Sequence, residues 1–293
     1  MSIDVLQGKI RQLRCPVMAA LAPSRGLLQT AAASPQAAAD GYRQVCMTAL
    51  EALDGVVPAV SVGCGSFLAL GAEGVRAMQD VLEAARAAGF YVLFDLMQSN
   101  LGQSAADMAA ACFGPLQPDA ETYTPYPCDG VLLDAYLGSD STGAYTAYCK
   151  NDKNVFLMAR SANRSARELQ DLLSGDRVVH QVTADLAMRW SAGLSSRSGY
   201  SEIGVAAGAT DADILPRMRR KYDKLFFLVP GFEQPGGAQN AAQAFGAAGY
   251  GACVIDAAIL SAPLRAPNET PRAAIQQAAE SAREAILAYV TVY

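Results

Sequence analysis

The chain carries one histidine, His180, and none of its seven cysteines (Cys15, Cys46, Cys64, Cys112, Cys128, Cys149, Cys253) falls at Cys-x-x-Cys spacing. Those shortages argue against a zinc site, whose ligands come in close pairs of Cys or His. Runs of Lys and Arg are missing too, and the net charge is −5, so there is no electrostatic footprint for nucleic acid. No apolar stretch reaches the roughly 18 residues a membrane-spanning helix needs, and residues 1–10 are mixed rather than apolar. The expectation is a soluble, cytoplasmic protein with reduced thiols and no membrane partner. No Gly-x-Gly-x-x-Gly follows the first apolar segment either, which weighs against a dinucleotide-binding fold.

What the chain has is apolar material, 52% of 293 residues, and that can bury a large core. Ile3, Leu6, Ile10 and Leu13 fall at helical spacing and predict an N-terminal helix over 3–14 that closes the bottom of a barrel or covers its rim. Short apolar runs follow at 16–21, 57–62, 92–95, 130–134, 155–159, 203–207, 225–229 and 252–256. Each precedes a helical pattern, at 35–53, 71–88, 104–113, 142–149, 166–190, 211–221, 238–248 and 271–290. Eight strand–helix units predict an α/β fold, a TIM (β/α)8 barrel, as a single domain over 1–293. The Pro- and Tyr-rich stretch 117–128 and the Ser- and Gly-rich stretch 191–201 each precede a strand, which places them at the barrel bottom, away from the chemistry. His180 lies within the 166–190 pattern with no Ser or Asp arrangement suggestive of a triad, so it reads as a packing or surface residue.

The stretch Tyr91-Val92-Leu93-Phe94-Asp95-Leu96-Met97-Gln98-Ser99-Asn100 is the most informative. Apolar residues ending in a carboxylate, with polar groups at once after it, describe a buried parallel strand that delivers side chains to a barrel mouth.

Asp95-x-Met97-x-x-Asn100 resembles the Asp-x-Lys-x-x-Asp signature of the orotidine 5'-monophosphate decarboxylase family, and most of the chain, from about Cys15 to Leu260, is similar to the longer bacterial branch of it. Ala135-Tyr136-Leu137-Gly138-Ser139-Asp140 resembles the family's Pro-Tyr-Leu-Gly-x-Asp, and Ser161-Ala162-Asn163 resembles its Thr-Ser-Asn. Gly204 to Thr210 resembles Val-Val-Gly-Ala-Thr, and Leu228-Val229-Pro230-Gly231 with Gly236-Gly237 resembles the Pro-Gly-x-Gly-x-Gln-Gly-Gly phosphate loop. The resemblance implies cofactor-free decarboxylation of orotidine monophosphate to uridine monophosphate in pyrimidine biosynthesis. It also implies a homodimer with sites at the shared interface and a Lys-Asp-Lys-Asp array in each.

Measured against that array, Asp95 is retained, Ser61 and Met97 stand where the resemblance implies lysines, and Asn100 stands at the cross-subunit aspartate. Ala22 replaces the ribose-contacting aspartate, Ala162 the pyrimidine-reading serine and Ala257 the phosphate-clamping arginine. Gln234 is one step early for the loop glutamine, while Asn163, Gly236 and Gly237 remain. A thioether at 97 supplies neither positive charge nor a proton to a nascent carbanion, whereas enzymes lower barriers by about 8–23 kcal/mol, largely with preorganised charge. The expectation is a family protein that is inactive or severely impaired, with no cofactor or metal. The alternatives are a non-catalytic regulatory or binding subunit with a nucleotide or other small-molecule ligand, and an enzyme on a different substrate that uses Asp95 as base. Loss of the lysines is expected to leave Asp95 either solvated or newly partnered, and Arg160 and Arg164 are the nearby cations.

Overall fold

The computed structural model describes residues 1–28, 32–96, 100–116 and 123–293. Five strands come first: β1 (Val17–Leu21), β2 (Ala59–Gly63), β3 (Tyr91–Asp95), β4 (Gly130–Leu133) and β5 (Asn154–Arg160). A small antiparallel hairpin, β6 (Leu173–Ser174) with β7 (Arg177–Val178), interrupts them before β8 (Ile203–Ala207), β9 (Phe227–Pro230) and β10 (Ala252–Asp256). Apart from the hairpin, the strands are parallel and close into one barrel in the order β1-β10-β9-β8-β5-β4-β3-β2. This is the (β/α)8 architecture, and it follows from largely apolar strands that must be covered on both faces.

The covering helices are α1 (Ile3–Leu13), α2 (Pro35–Leu53), α3 (Cys64–Leu68), α4 (Ala72–Ala87), α5 (Gly102–Phe113), α6 (Ser139–Thr146), α7 (Ala166–Leu169), α8 (Val179–Trp190), α9 (Ile214–Lys221), α10 (Gly237–Ala242), α11 (Ala262–Arg265) and α12 (Pro271–Leu287). Two of them begin on the same local signal. Ser34 Oγ accepts from Ala37 N–H at 3.1 Å and Thr270 Oγ1 from Ala273 N–H at 3.3 Å, each with proline at the first helical position.

The barrel floor is polar and sealed. Tyr91 Oη donates to Asn154 Oδ1 at 2.6 Å, the Asn154 amide donates to Glu202, and Ile3 N–H donates to Glu202 Oε2 at 3.0 Å. Gln7 Oε1 accepts from Gly251 N–H at 3.0 Å, so α1 lies across the bottom and takes up donors that would otherwise be buried unpaired. The 191–201 stretch is at this same end, where Arg197 and Ser198 N–H groups both reach the Asp4 carboxylate at 2.8 Å. Nearby, Arg219 donates to the carbonyls of Ala244, Leu225 and Gly251 at 2.6, 2.9 and 2.7 Å and lies 4.1 Å over the Phe227 ring.

One expected element is broken. The helical pattern over 166–190 is α7, the β6–β7 hairpin and then α8, because Gly175, at φ 68°, turns the chain back between Ser174 and Arg177. The pattern over 238–248 yields only the short α10, and loop glycines follow it. Part of the 117–128 stretch lies outside the described residues.

Candidate active site at the barrel mouth

The strand register decides which side chains face the barrel axis. Ser61 pairs with Leu93 and Gly63 with Asp95, and Tyr91, two residue-pairs below Asp95, meets Asn154 across the floor. Side chains alternate along a strand, so Tyr91, Leu93 and Asp95 all point inward, with Ser61 one layer below Asp95.

Asp95 ends β3 at the mouth. Its Oδ1 is buried and has no hydrogen-bond partner among the described residues, and burial pushes its pKa up to about 6. It is therefore neither solvated nor newly partnered at that oxygen; instead, desolvation makes its proton harder to remove. Cys64, at the start of α3, is a neighbour the sequence did not single out. Its Sγ donates to Leu96 O at 3.2 Å, and burial, then the Asp95 charge, raise its pKa.

The other expected positions are placed as follows. Ser61 is 5% exposed. Ala22 stands at the mouth against Gly63, where a Cβ on that glycine would come within 3.2 Å of the Ala22 methyl. Asn100 lies against the Tyr145 hydroxyl of α6, whose pKa burial pushes up to about 12, although that hydroxyl has no hydrogen bond of good geometry among the described residues. Met97 lies outside the described residues.

Ala162 and Gly231 are brought together from the ends of β5 and β9, so closely that a Cβ at 231 would meet the Ala162 methyl at 2.6 Å. Asn163 is exposed and accepts from Ser161 Oγ. Gln234 is exposed, and its carbonyl takes the Gly237 N–H at 2.8 Å, so that donor of the glycine loop is already used. Ala257 is exposed beside Asp256, whose Oδ1 accepts from Ala258 and Ile259 N–H at 2.6 and 3.1 Å. A cavity of about 580 Å³ runs from this glycine loop along α12, past Asp256 and Arg265. A larger one, about 720 Å³ and mostly apolar, lies between α2 and the segment 260–275. Neither contains Asp95.

Arg160, 2% exposed at the end of β5, is not available to Asp95. Its Nε and Nη2 hold the two Asp171 oxygens at 2.9 and 3.0 Å, and Nη1 reaches Thr210 Oγ1 at 3.4 Å. Arg164 is exposed. His180, buried as a packing residue, belongs to the same cluster, with Nδ1 at 2.9 Å from Gln170 O and 3.3 Å from Asp171 Oδ1. It sits in the first turn of α8 because the hairpin restarts the helix there. Burial lowers its pKa, outweighing Gln170 and Asp171, and leaves a neutral ring near neutral pH.

A closed barrel of eight parallel strands defines a (β/α)8-barrel protein, a class whose chemistry is set by the loops at the carboxyl ends of its strands. The particular lineage comes from comparison with known proteins. The chain is 30% identical to the orotidine 5'-phosphate decarboxylase of Rhodopirellula baltica over 218 residues, 74% of this chain and 71% of that one. It is 30% identical to that of Clostridium perfringens over 171 residues, 58% of this chain and 56% of the relative. It therefore belongs to the orotidine 5'-phosphate decarboxylase family. Among solved structures, Leishmania donovani OMP decarboxylase superposes with a TM-score of 0.74 at 24% identity over 98% of this chain and 99% of that one, a likeness of fold. Leishmania donovani UMP synthase gives 0.77 at 25% identity over 99% of this chain and 56% of that one. No family model matches the chain.

Proposed function

We propose that this chain is a decarboxylase-family barrel that has lost, or nearly lost, the decarboxylation of orotidine monophosphate. The observation that carries this reading is the isolation of Asp95. Its buried oxygen has no partner among the described residues, and Arg160, two strands away at the end of β5, is paired with Asp171. Ser61 on the neighbouring strand is a small neutral side chain, and Ala22, Ala162 and Ala257 offer only methyl groups at the positions assigned to ribose, base and phosphate. Without fixed positive charge near the developing anion, the largest source of rate enhancement is missing.

The test is turnover of orotidine monophosphate by the purified chain, alongside titration with uridine monophosphate. The expected result is no product above the uncatalysed rate. Turnover at an ordinary enzymatic rate, about 1–10³ per second, overturns the reading.

One observation favours a second reading, an enzyme acting on a different small molecule. A buried carboxyl with a pKa of about 6 at a barrel mouth suits general acid–base work. Asp95 is then the base, with Ser61, Asn100 and Gln234 as polar contacts. We also infer a cytoplasmic homodimer built on a single barrel domain. Its support is the family membership and the exposure of Leu101, Tyr136 and Leu137 on the loop side of the barrel, Tyr136 being 76% exposed. No described helix is long and apolar enough to cross a membrane. A monomer by light scattering at micromolar concentration counts against the dimer.

A further inference from the structure

In six barrel strands one residue is half-buried while the rest are buried: Ala20, Gly63, Asp95, Met158, Pro230 and Ile255. They are not scattered around the barrel. Ala20 pairs with Ser61, Ser61 with Leu93, and Asp95 with Leu132. Leu132 pairs with Phe156, Met158 with Ala206, Ala206 with Leu228, Pro230 with Ile255, and Ile255 with Met18, two residues before Ala20. The register closes on itself, so all six share the inward face at or next to the upper layer. An inward side chain of a closed barrel meets water only from the mouth. The six therefore outline an axial depression, five apolar residues and one carboxylate, floored by the buried Phe156 and Leu228.

The charge of this depression is one-sided. Among the described residues, Asp95 contributes a buried oxygen with no hydrogen-bond partner, and Arg160 is tied to Asp171. A buried carboxylate without a partner gains a charge-assisted hydrogen bond from any cation that can reach it, and it repels an anion. We propose that the axial depression binds a small organic cation, an apolar body bearing a protonated nitrogen whose N–H pairs with the Asp95 carboxylate, and that it rejects phosphorylated and carboxylated ligands. The apolar body fills the space between Ala20, Met158, Pro230 and Ile255. The site opposes in charge the anionic substrate of the decarboxylation, and it rests on the reading that this reaction is lost.

The test is calorimetric titration of the full chain at pH 7.5 with benzylamine, benzoate and uridine monophosphate as matched probes. Benzylamine binding is expected to be at least tenfold tighter than that of either anion, and to weaken at least tenfold in Asp95→Asn. Ala20→Leu, which fills the depression and leaves the carboxylate in place, is expected to weaken it as well, with circular dichroism checking that the variant folds. Benzoate or uridine monophosphate binding as tightly as benzylamine, no heat with benzylamine at millimolar concentration, or undiminished benzylamine binding in Asp95→Asn each overturns the proposal. Its failure and that of the parent reading remain separable. Turnover of orotidine monophosphate defeats the latter whatever the amine does, and a chain silent toward both substrate and amine defeats only the cation site.

Discussion

Arg160 grips Asp171 through two hydrogen bonds, Nε to Oδ1 at 2.9 Å and Nη2 to Oδ2 at 3.0 Å. That hydrogen-bonded pairing, with desolvation working against it, holds the Asp171 carboxyl below the usual range. It also fastens the hairpin-bearing segment 161–180 to the end of β5 and withdraws from the mouth the guanidinium that stands at its rim. The two aspartates of this region thus have opposite fates, one supplied with a cation and one without.

Arg160→Met is expected to destabilise the protein. Removing one partner of a buried ion pair costs about 3–5 kcal/mol, but Asp171 is 25% exposed, so water relieves part of the loss and about 2–3 kcal/mol is expected. Arg160→Lys keeps the charge but not the two-pronged geometry, and should recover less than half of it. Urea unfolding reads both. A methionine variant as stable as wild type would mean the pair contributes nothing net.

Asp95→Asn is expected to stabilise the protein above about pH 6. Burial raises the Asp95 pKa from 3.8 to about 6, so the native state holds this proton more tightly than the unfolded chain does. The associated stability is fully present below pH 3.8 and is lost as pH rises through about 6, which at 1.36 kcal/mol per unit is about 3 kcal/mol at most. The variant removes that loss. Its advantage in unfolding free energy should be near zero at pH 4, grow to pH 6 and level off; an advantage independent of pH would show that Asp95 does not titrate in this window.

Ser61→Lys is expected to bring the Asp95 pKa back to the ordinary carboxylate range. Position 61 faces the axis one layer below Asp95 on the paired strand, and an ammonium there favours the ionised carboxylate. Ser61→Met, of similar bulk and no charge, should leave the titration near 6 or higher. Carbon-13 carboxyl NMR follows both, and an unmoved resonance in the lysine variant would show that the two side chains do not face each other.

Arg219→Met is expected to cost at least about 3 kcal/mol, because several carbonyls and an aromatic face lose their shared donor at once. Arg219→Lys should be nearly as damaging, since one ammonium cannot span carbonyls on three segments. Melting temperature and near-ultraviolet circular dichroism check this. A lysine variant with an unchanged melting point would mean that water replaces the guanidinium.

Much of the architecture was legible before any coordinates. Continuous apolar runs such as those of β8 and β10 are distinctive because a strand covered on both faces has no polar side to show. The helix break at Ser174-Gly175-Asp176 was readable in principle as a hairpin turn, but the amphipathic pattern on either side concealed it. The site was less legible. Asp95 declared itself by ending an apolar strand, whereas Asp171 and Cys64 gave no signal, since each matters only through a neighbour far along the chain or on another strand.

The sequence by itself determined the eightfold repetition of strand and helix, the family, and which residue types stand at each strand end, because these depend on local periodicity and on side-chain identity. The tertiary structure alone decided that Arg160 turns to Asp171, that Gly237 spends its N–H on Gln234, and that one oxygen of the Asp95 carboxylate is buried with no hydrogen-bond partner among the described residues. Partner choice among buried polar groups is settled by three-dimensional proximity and by exclusion of water, and a linear pattern of residues encodes neither until the barrel has closed.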